Sequence, residues 1–125
     1  QWAREAGFDN INVDLMFAIP GQSYDGWIEN LQTVAALGPE HISAYSLIIE
    51  EGTPFFRKKL DLPDEDTEYR MYEDVAAVLK EYGYHQYEIS NYAKAGYECR
   101  HNEGYWQRKD YLGLGLGDGA FFQYF

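Results

Sequence analysis

INVDLMFAIPGQ, residues 11–22, opens as a β-strand and closes as a strand-to-helix turn. Ile11 to Ile19 is an apolar, β-rich run interrupted by Asn12 and Asp14, and Pro20-Gly21-Gln22-Ser23 ends it. Ser23 is then a good N-cap, and Trp27, Leu31, Val34 and Ala35 recur at helical spacing with Ile28 widening the stripe. Gly38-Pro39 stops that helix, and His41 to Ile49 follows as a second strand. A strand, a helix and a strand joined by short turns make a βαβ unit, which places the two strands parallel.

The same grammar extends in both directions. Upstream, Gln1 to Ala6 reads as the last turns of a helix closed by Gly7 in the C′ position. Downstream, the turn Glu51-Gly52-Thr53-Pro54 leads through a short segment to Lys59, and Pro63-Asp64-Glu65-Asp66 is the acidic start of a second long helix. Tyr72, Val75, Val78, Leu79 and Tyr82 line one side of it, and Gly83 caps its end. Tyr84 to Ser90 reads as a third strand and Tyr111 to Leu116 as a fourth.

The fold class is therefore α/β, built of parallel βαβ units in a single domain over residues 1–125. A parallel sheet of three or four strands standing alone leaves two open edges and a half-covered face. The chain is accordingly expected to be an incomplete section of a larger α/β barrel. Its start within a helix at Gln1 and its end in the aromatic run Phe121, Phe122, Tyr124, Phe125 agree with that. Barrel chemistry sits at the C-terminal ends of the strands, which points to residues 20–23, 50–53 and 90–93.

Composition narrows the partners. A content of 46% hydrophobic and 18% aromatic residues suffices for a packed core. No apolar run approaches the roughly 20 residues of a membrane span, and no signal-peptide pattern opens the chain, so the cytoplasm is the default location. One cysteine excludes an internal disulfide. A formal charge of −11 disfavours nucleic acid and anionic lipid surfaces.

Several residues invite chemistry. Asp14 sits inside a strand and shares its face with Asn12 and Met16, an unusual place for a charge. Desolvating a lone carboxylate costs several kcal/mol, so it must accept hydrogen bonds. The donors are either a ligand's hydroxyls or ammonium, or a neighbouring backbone or basic side chain. Glu88, with Gln86 and Ser90, forms a second polar stripe, whereas His41 and His85 open strands and read as structural histidines. Cys99-Arg100-His101-Asn102-Glu103-Gly104-Tyr105-Trp106 packs a thiol, an imidazole and two large aromatics together. Either these are soft ligands beside a flat apolar wall, or they are a polar loop anchored by two aromatics. The G-x-G-x-x-A run within residues 113–120 is followed by no helix that could receive a pyrophosphate, so the end of a barrel strand explains it better. No G-x-S-x-G elbow supports serine catalysis.

Three blocks taken together, INVDLMFAIPGQ (11–22), GPEHISAYSLIIEEGTPF (38–55) and GYHQYEISNYAKAGYECRHNEGYW (83–106), resemble one family. It is that of the radical S-adenosylmethionine proteins related to oxygen-independent coproporphyrinogen III oxidase. The H-N-x-x-Y-W element, here His101, Asn102, Tyr105 and Trp106, is similar to the haem chaperone branch rather than the oxidase branch. The resemblance implies a partial (β/α)6 barrel of which this chain is the later part. It also implies S-adenosylmethionine and a 4Fe-4S cluster in the parent protein, the cluster held by C-x-x-x-C-x-x-C. That motif does not occur in these 125 residues, so the chain by itself is expected to be catalytically silent.

Position by position, Asp14 in D-L-x-x-x-x-P-G-Q matches the family carboxylate that contacts S-adenosylmethionine, Tyr45 an aromatic near it, and Ile48 a small apolar contact, here bulkier. For haem, the hypothesis is His101 as axial ligand with Tyr105 and Trp106 packing on the macrocycle, and Cys99 as the alternative ligand and the one candidate metal ligand. The implied partners are haem or a porphyrinogen, and haem-requiring acceptor proteins, membrane-associated ones among them. Two rival readings remain open: oxidative decarboxylation of coproporphyrinogen III, and a non-catalytic α/β binding domain. One departure is plain: after D-Y-L this chain has GLGLGDGAFFQYF where the family reads like G-L-G-P-G-A-H-S.

Overall fold

The computed structural model describes residues 1–113 of the chain. In chain order the elements are α1 (Trp2–Glu5), β1 (Asn12–Phe17), α2 (Tyr24–Ala36), β2 (His41–Ser46), α3 (Glu65–Glu81), β3 (His85–Gln86), β4 (Asn91–Ala93) and α4 (Arg100–Trp106). The four strands form one sheet in the order β1-β2-β4-β3.

The βαβ unit stands as the sequence suggests. β1 and β2 run parallel, from Asn12 opposite His41 to Phe17 opposite Ser46. Between them, Ser23 Oγ accepts the Gly26 amide at 3.1 Å and starts α2. Its buried positions Trp27, Leu31 and Ala35 recur every four residues. α3 begins in the same way, with Asp64 Oδ1 accepting the Thr67 amide at 2.7 Å, and it buries Met71, Val75 and Leu79. Both helices lie on one side of the sheet, where Phe17, Ile42, Ala44 and Tyr92 complete a single core with them. Inside that core Trp27 Nε1 donates to the Met71 carbonyl oxygen at 3.1 Å, which satisfies the indole and joins the two helices.

Strand β2 ends at Ser46 rather than at Ile49. Its partner leaves first: Ala18, just past β1, takes a φ of +56°, and the Leu47 amide makes the last bond, to the Phe17 carbonyl at 2.9 Å. At the other end Arg4 donates to both oxygens of Glu40, at 2.7 and 2.8 Å, which ties α1 to the turn before β2. That guanidinium holds the Glu40 carboxyl below its usual range.

The third strand expected over residues 84–90 is a correction. Only His85–Gln86 is extended there, and the chain turns back at Glu88 to return as β4, antiparallel to both β2 and β3. The reason is local to the turn. Glu88 Oε1 accepts from the Ser90 amide at 2.9 Å and from the Asn91 side-chain amide, and the Tyr87 amide donates to the Asn91 carbonyl at 3.2 Å, which closes a hairpin. The sheet is thus mixed, parallel only at β1 and β2. With β4 reversed, residues 90–93 do not mark the same end of the sheet as the C-termini of β1 and β2. Of the fourth strand expected over 111–116, Tyr111 makes a single-residue bridge. Residues 114–125, with most of the glycine run and the aromatic end, lie outside the described residues.

Candidate functional site

Period-two alternation sends Val13, Leu15 and Phe17 toward the helices and leaves Asn12, Asp14 and Met16 on the opposite face. Because the parallel register sets these beside His41, Ser43 and Tyr45, that face is polar across two strands. The segment after β4 folds over it, and together they enclose a cleft of about 610 Å³ lined by Asp14, His41, Ser43, Tyr45, Glu98 and Cys99 among others.

Hydrogen bonds run through the cleft wall in one direction. The Cys99 amide and the Asn102 side-chain amide donate to the Tyr87 hydroxyl oxygen at 3.2 and 3.3 Å. Tyr87 lies 2.8 Å from His41 Nε2, and His41 Nδ1 lies 2.6 Å from Asn12 Oδ1. Asn12 Nδ2 in turn donates to Asp14 Oδ1 at 2.6 Å. That last bond sets the Asn12 amide orientation, so its oxygen must accept from His41 Nδ1–H, and Nε2 then accepts the Tyr87 proton. His41 is buried, and burial lowers its pKa below 6.5, which agrees with this neutral tautomer. Burial likewise raises the Tyr87 hydroxyl above its usual value and keeps it protonated. At the cleft rim, Glu98 Oε1 lies 2.9 Å from His85 Nε2, and its carboxyl is held below the usual range by its own backbone amide.

The cysteine-to-tryptophan stretch is not a loop but the short helix α4, with Cys99 at its N-cap. The four residues of the H-N-x-x-Y-W element face three ways. The His101 and Tyr105 rings stack edge to face with centroids 4.6 Å apart, and Tyr111 packs on Tyr105 at the same 4.6 Å. Asn102 points to Tyr87, while Trp106 Nε1 donates to Glu88 Oε2 at 3.2 Å. Thus His101 and Tyr105 come together, beside a recess of about 170 Å³, and Trp106 joins Glu88 instead. Asp14, Tyr45 and Cys99 meet in the cleft, whereas Ile48 lies past the end of β2 and is 75% exposed. Glu88 belongs to the hairpin turn and not to a polar strand face.

His41, Asn12 and Tyr87 are the residues that sequence reasoning missed. The first two carried a signal, since polar residues alternate at Asn12/Asp14 and at His41/Ser43 in strands already read as parallel neighbours. Tyr87 carried none, because its place depends on the hairpin.

No model of a protein family matches the chain. Relatives do. Heme chaperone HemW of Bacillus subtilis is 46% identical over 119 residues, covering 92% of this chain and 31% of that protein. HemW of Escherichia coli is 41% identical over 111 residues, covering 89% of this chain and 29% of that protein. Radical S-adenosyl methionine domain-containing protein 1, mitochondrial, of Danio rerio is 40% identical over 119 residues, covering 92% and 27%. The chain is thus similar to a section of haem chaperones and of a radical S-adenosyl methionine domain protein. It spans less than a third of the length of the curated relatives it matches. Coproporphyrinogen III oxidase HemN of Escherichia coli, a radical S-adenosylmethionine enzyme, superposes with a TM-score of 0.74 over 95% of this chain and 31% of its own, at 21% identity. That likeness establishes the shared radical S-adenosylmethionine fold.

Likeness to radical S-adenosylmethionine proteins implies S-adenosylmethionine and a 4Fe-4S cluster in the whole protein. The two groups fit this chain unequally. A carboxylate offers about four acceptor positions, more than the Asn12 amide uses, and Asp14 presents it on the open side of a polar cleft large enough for a nucleoside. The cluster does not fit these residues: there is one cysteine, and among the described residues no three His, Cys, Asp or Glu side chains converge on a cation site. Nor does any helix among the described residues have the length and apolarity to cross a membrane.

Proposed function

We propose that this chain is the part of a cytoplasmic haem chaperone that presents haem on α4 and holds S-adenosylmethionine in the cleft beside it. The whole protein receives haem and passes it to haem-requiring proteins. The observation that carries this reading is the division of α4. One side of the helix is anchored by Asn102 and Trp106, and the other leaves the His101 and Tyr105 rings exposed to a ligand.

Haem asks for a basic nitrogen on iron and an apolar surface against the macrocycle. His101 supplies the first and Tyr105 the second, with Trp106, 59% exposed, extending the aromatic surface at the end of the helix. The recess beside His101 and Tyr105, about 170 Å³, is smaller than the roughly 300–1,000 Å³ of enclosing ligand pockets. Haem on α4 is therefore held at the surface, which suits a cargo that must leave. Cys99 is the second candidate ligand, since it faces the cleft from the N-cap.

In the cleft, Asp14 accepts the ammonium or ribose hydroxyls of S-adenosylmethionine, and Tyr45 provides a ring for its apolar parts. Ile48, past the end of β2 and outside the cleft lining, makes no part of this site. When bound, the cluster and S-adenosylmethionine supply one-electron chemistry, and the residues of this chain supply orientation and charge.

Titration of the full-length protein with hemin, followed at the Soret band, tests this. Replacing His101 with alanine should weaken binding by about tenfold or more, since about 1.4 kcal/mol corresponds to each factor of ten. An unchanged Soret band and affinity removes His101 as the ligand. Anaerobic turnover of coproporphyrinogen III by the full-length protein would transfer it to the oxidase reading.

A further inference from the structure

The chain of donors described above spans three elements and ends on a charge. It begins at the first turn of α4, crosses the Tyr87 hydroxyl and the buried His41 ring, passes through Asn12 and reaches the Asp14 carboxylate. Every member donates toward the anion, so each bond polarises the next in the same sense. We propose that His41 and Tyr87 are positioning residues that couple the cleft to α4, so that a ligand held by Asp14 and one carried by α4 bind with positive cooperativity.

The inference rests on the preceding reading, in which S-adenosylmethionine occupies the cleft and haem lies on α4. Its physical basis is ordering. The relay has one satisfied arrangement, and a ligand that immobilises the Asp14 carboxylate also immobilises Asn12, the His41 ring and the Tyr87 hydroxyl. The second ligand then meets an α4 N-terminus already held in place and loses less conformational freedom on binding. By linkage the effect is reciprocal. His41 suits the role: its ring is buried and held neutral, with both nitrogens engaged in a fixed tautomer, and it bridges Asn12 on strand β1 to Tyr87 in the hairpin turn.

The test uses the full-length protein and two ligands, hemin and S-adenosylmethionine. The hemin Kd is measured with and without saturating S-adenosylmethionine in the parent, in Tyr87→Phe and in Asn12→Ala. Tyr87→Phe removes the hydroxyl shared by His41, Cys99 and Asn102 and keeps the ring. Asn12→Ala cuts the relay at an exposed side chain on the Asp14 side, so it remains decisive if the first variant fails to fold. S-adenosylmethionine should lower the parent's hemin Kd by about fivefold or more, in the range of measured couplings, and the ratio should fall to about one in both variants. General destabilisation shifts both Kd values and leaves their ratio. A parent ratio of one, or a ratio that survives both cuts, overturns the coupling while leaving the two sites standing. A parent that binds neither ligand refutes the functional reading itself.

Discussion

His41 Nε2 lies 2.8 Å from the Tyr87 hydroxyl with the histidine only 6% exposed, so this side chain joins strand β2 to the hairpin and has no room for a second proton. A protonated ring needs two acceptors, and Tyr87 would then have to redirect its own hydroxyl proton away from the relay.

Acid stability follows from that contact. Burial lowers the folded pKa of His41 below 6.5, whereas the unfolded chain takes up the proton near that value. Stability from this group is therefore complete above about pH 6.5 and falls as the pH drops toward and past the folded pKa. Urea unfolding of the full-length protein at about pH 7.5 and about pH 5.5 should show a lower midpoint in acid, and His41→Gln should narrow that difference.

Asp14→Asn keeps the shape and an acceptor for Asn12 but removes the charge. A hydrogen bond to a charged group contributes about 1.5–3 kcal/mol, so S-adenosylmethionine affinity should fall by about one to two orders of magnitude. Equilibrium binding on the full-length protein checks it, and an asparagine variant that binds as tightly as the parent removes Asp14 from the site.

The core is sensitive to volume. Leu31 is fully buried between α2 and the sheet, and Leu31→Ala should cost about 2–5 kcal/mol through lost burial and the cavity left behind. The expected signature is a lower urea midpoint with an unchanged m value.

Gly83 ends α3 with a φ of +86° in open space, so an added methyl group meets no neighbour and the whole penalty is conformational. Gly83→Ala should destabilise by about 1–2 kcal/mol, and Gly83→Asn by less, because asparagine enters the left-handed region more readily. Thermal denaturation of both variants gives the order.

What residue order alone settled here was local. Ser23 and Asp64 mark their helix starts because a cap needs only an oxygen within reach of an amide three residues on. The apolar positions of α2 and α3 repeat with the helical turn, and Asn12, Asp14 and Met16 share a face because strands alternate. From these the parallel pair and the polar face that holds Asp14 and Tyr45 could be read directly, and three blocks showed a resemblance to one family. The remainder depended on contacts distant in sequence. Residues 84–90 are apolar and aromatic enough for a strand, yet Glu88 finds the Ser90 amide and the chain doubles back. α4 has seven residues, a glycine in its middle and no side-chain cap, so nothing local announces it; it is held by Asn102 on Tyr87 and by Trp106 on Glu88. The relay from α4 to Asp14 exists because folding brings Asn12, His41 and Tyr87 within hydrogen-bond reach across 75 positions of sequence, a proximity that no periodicity encodes.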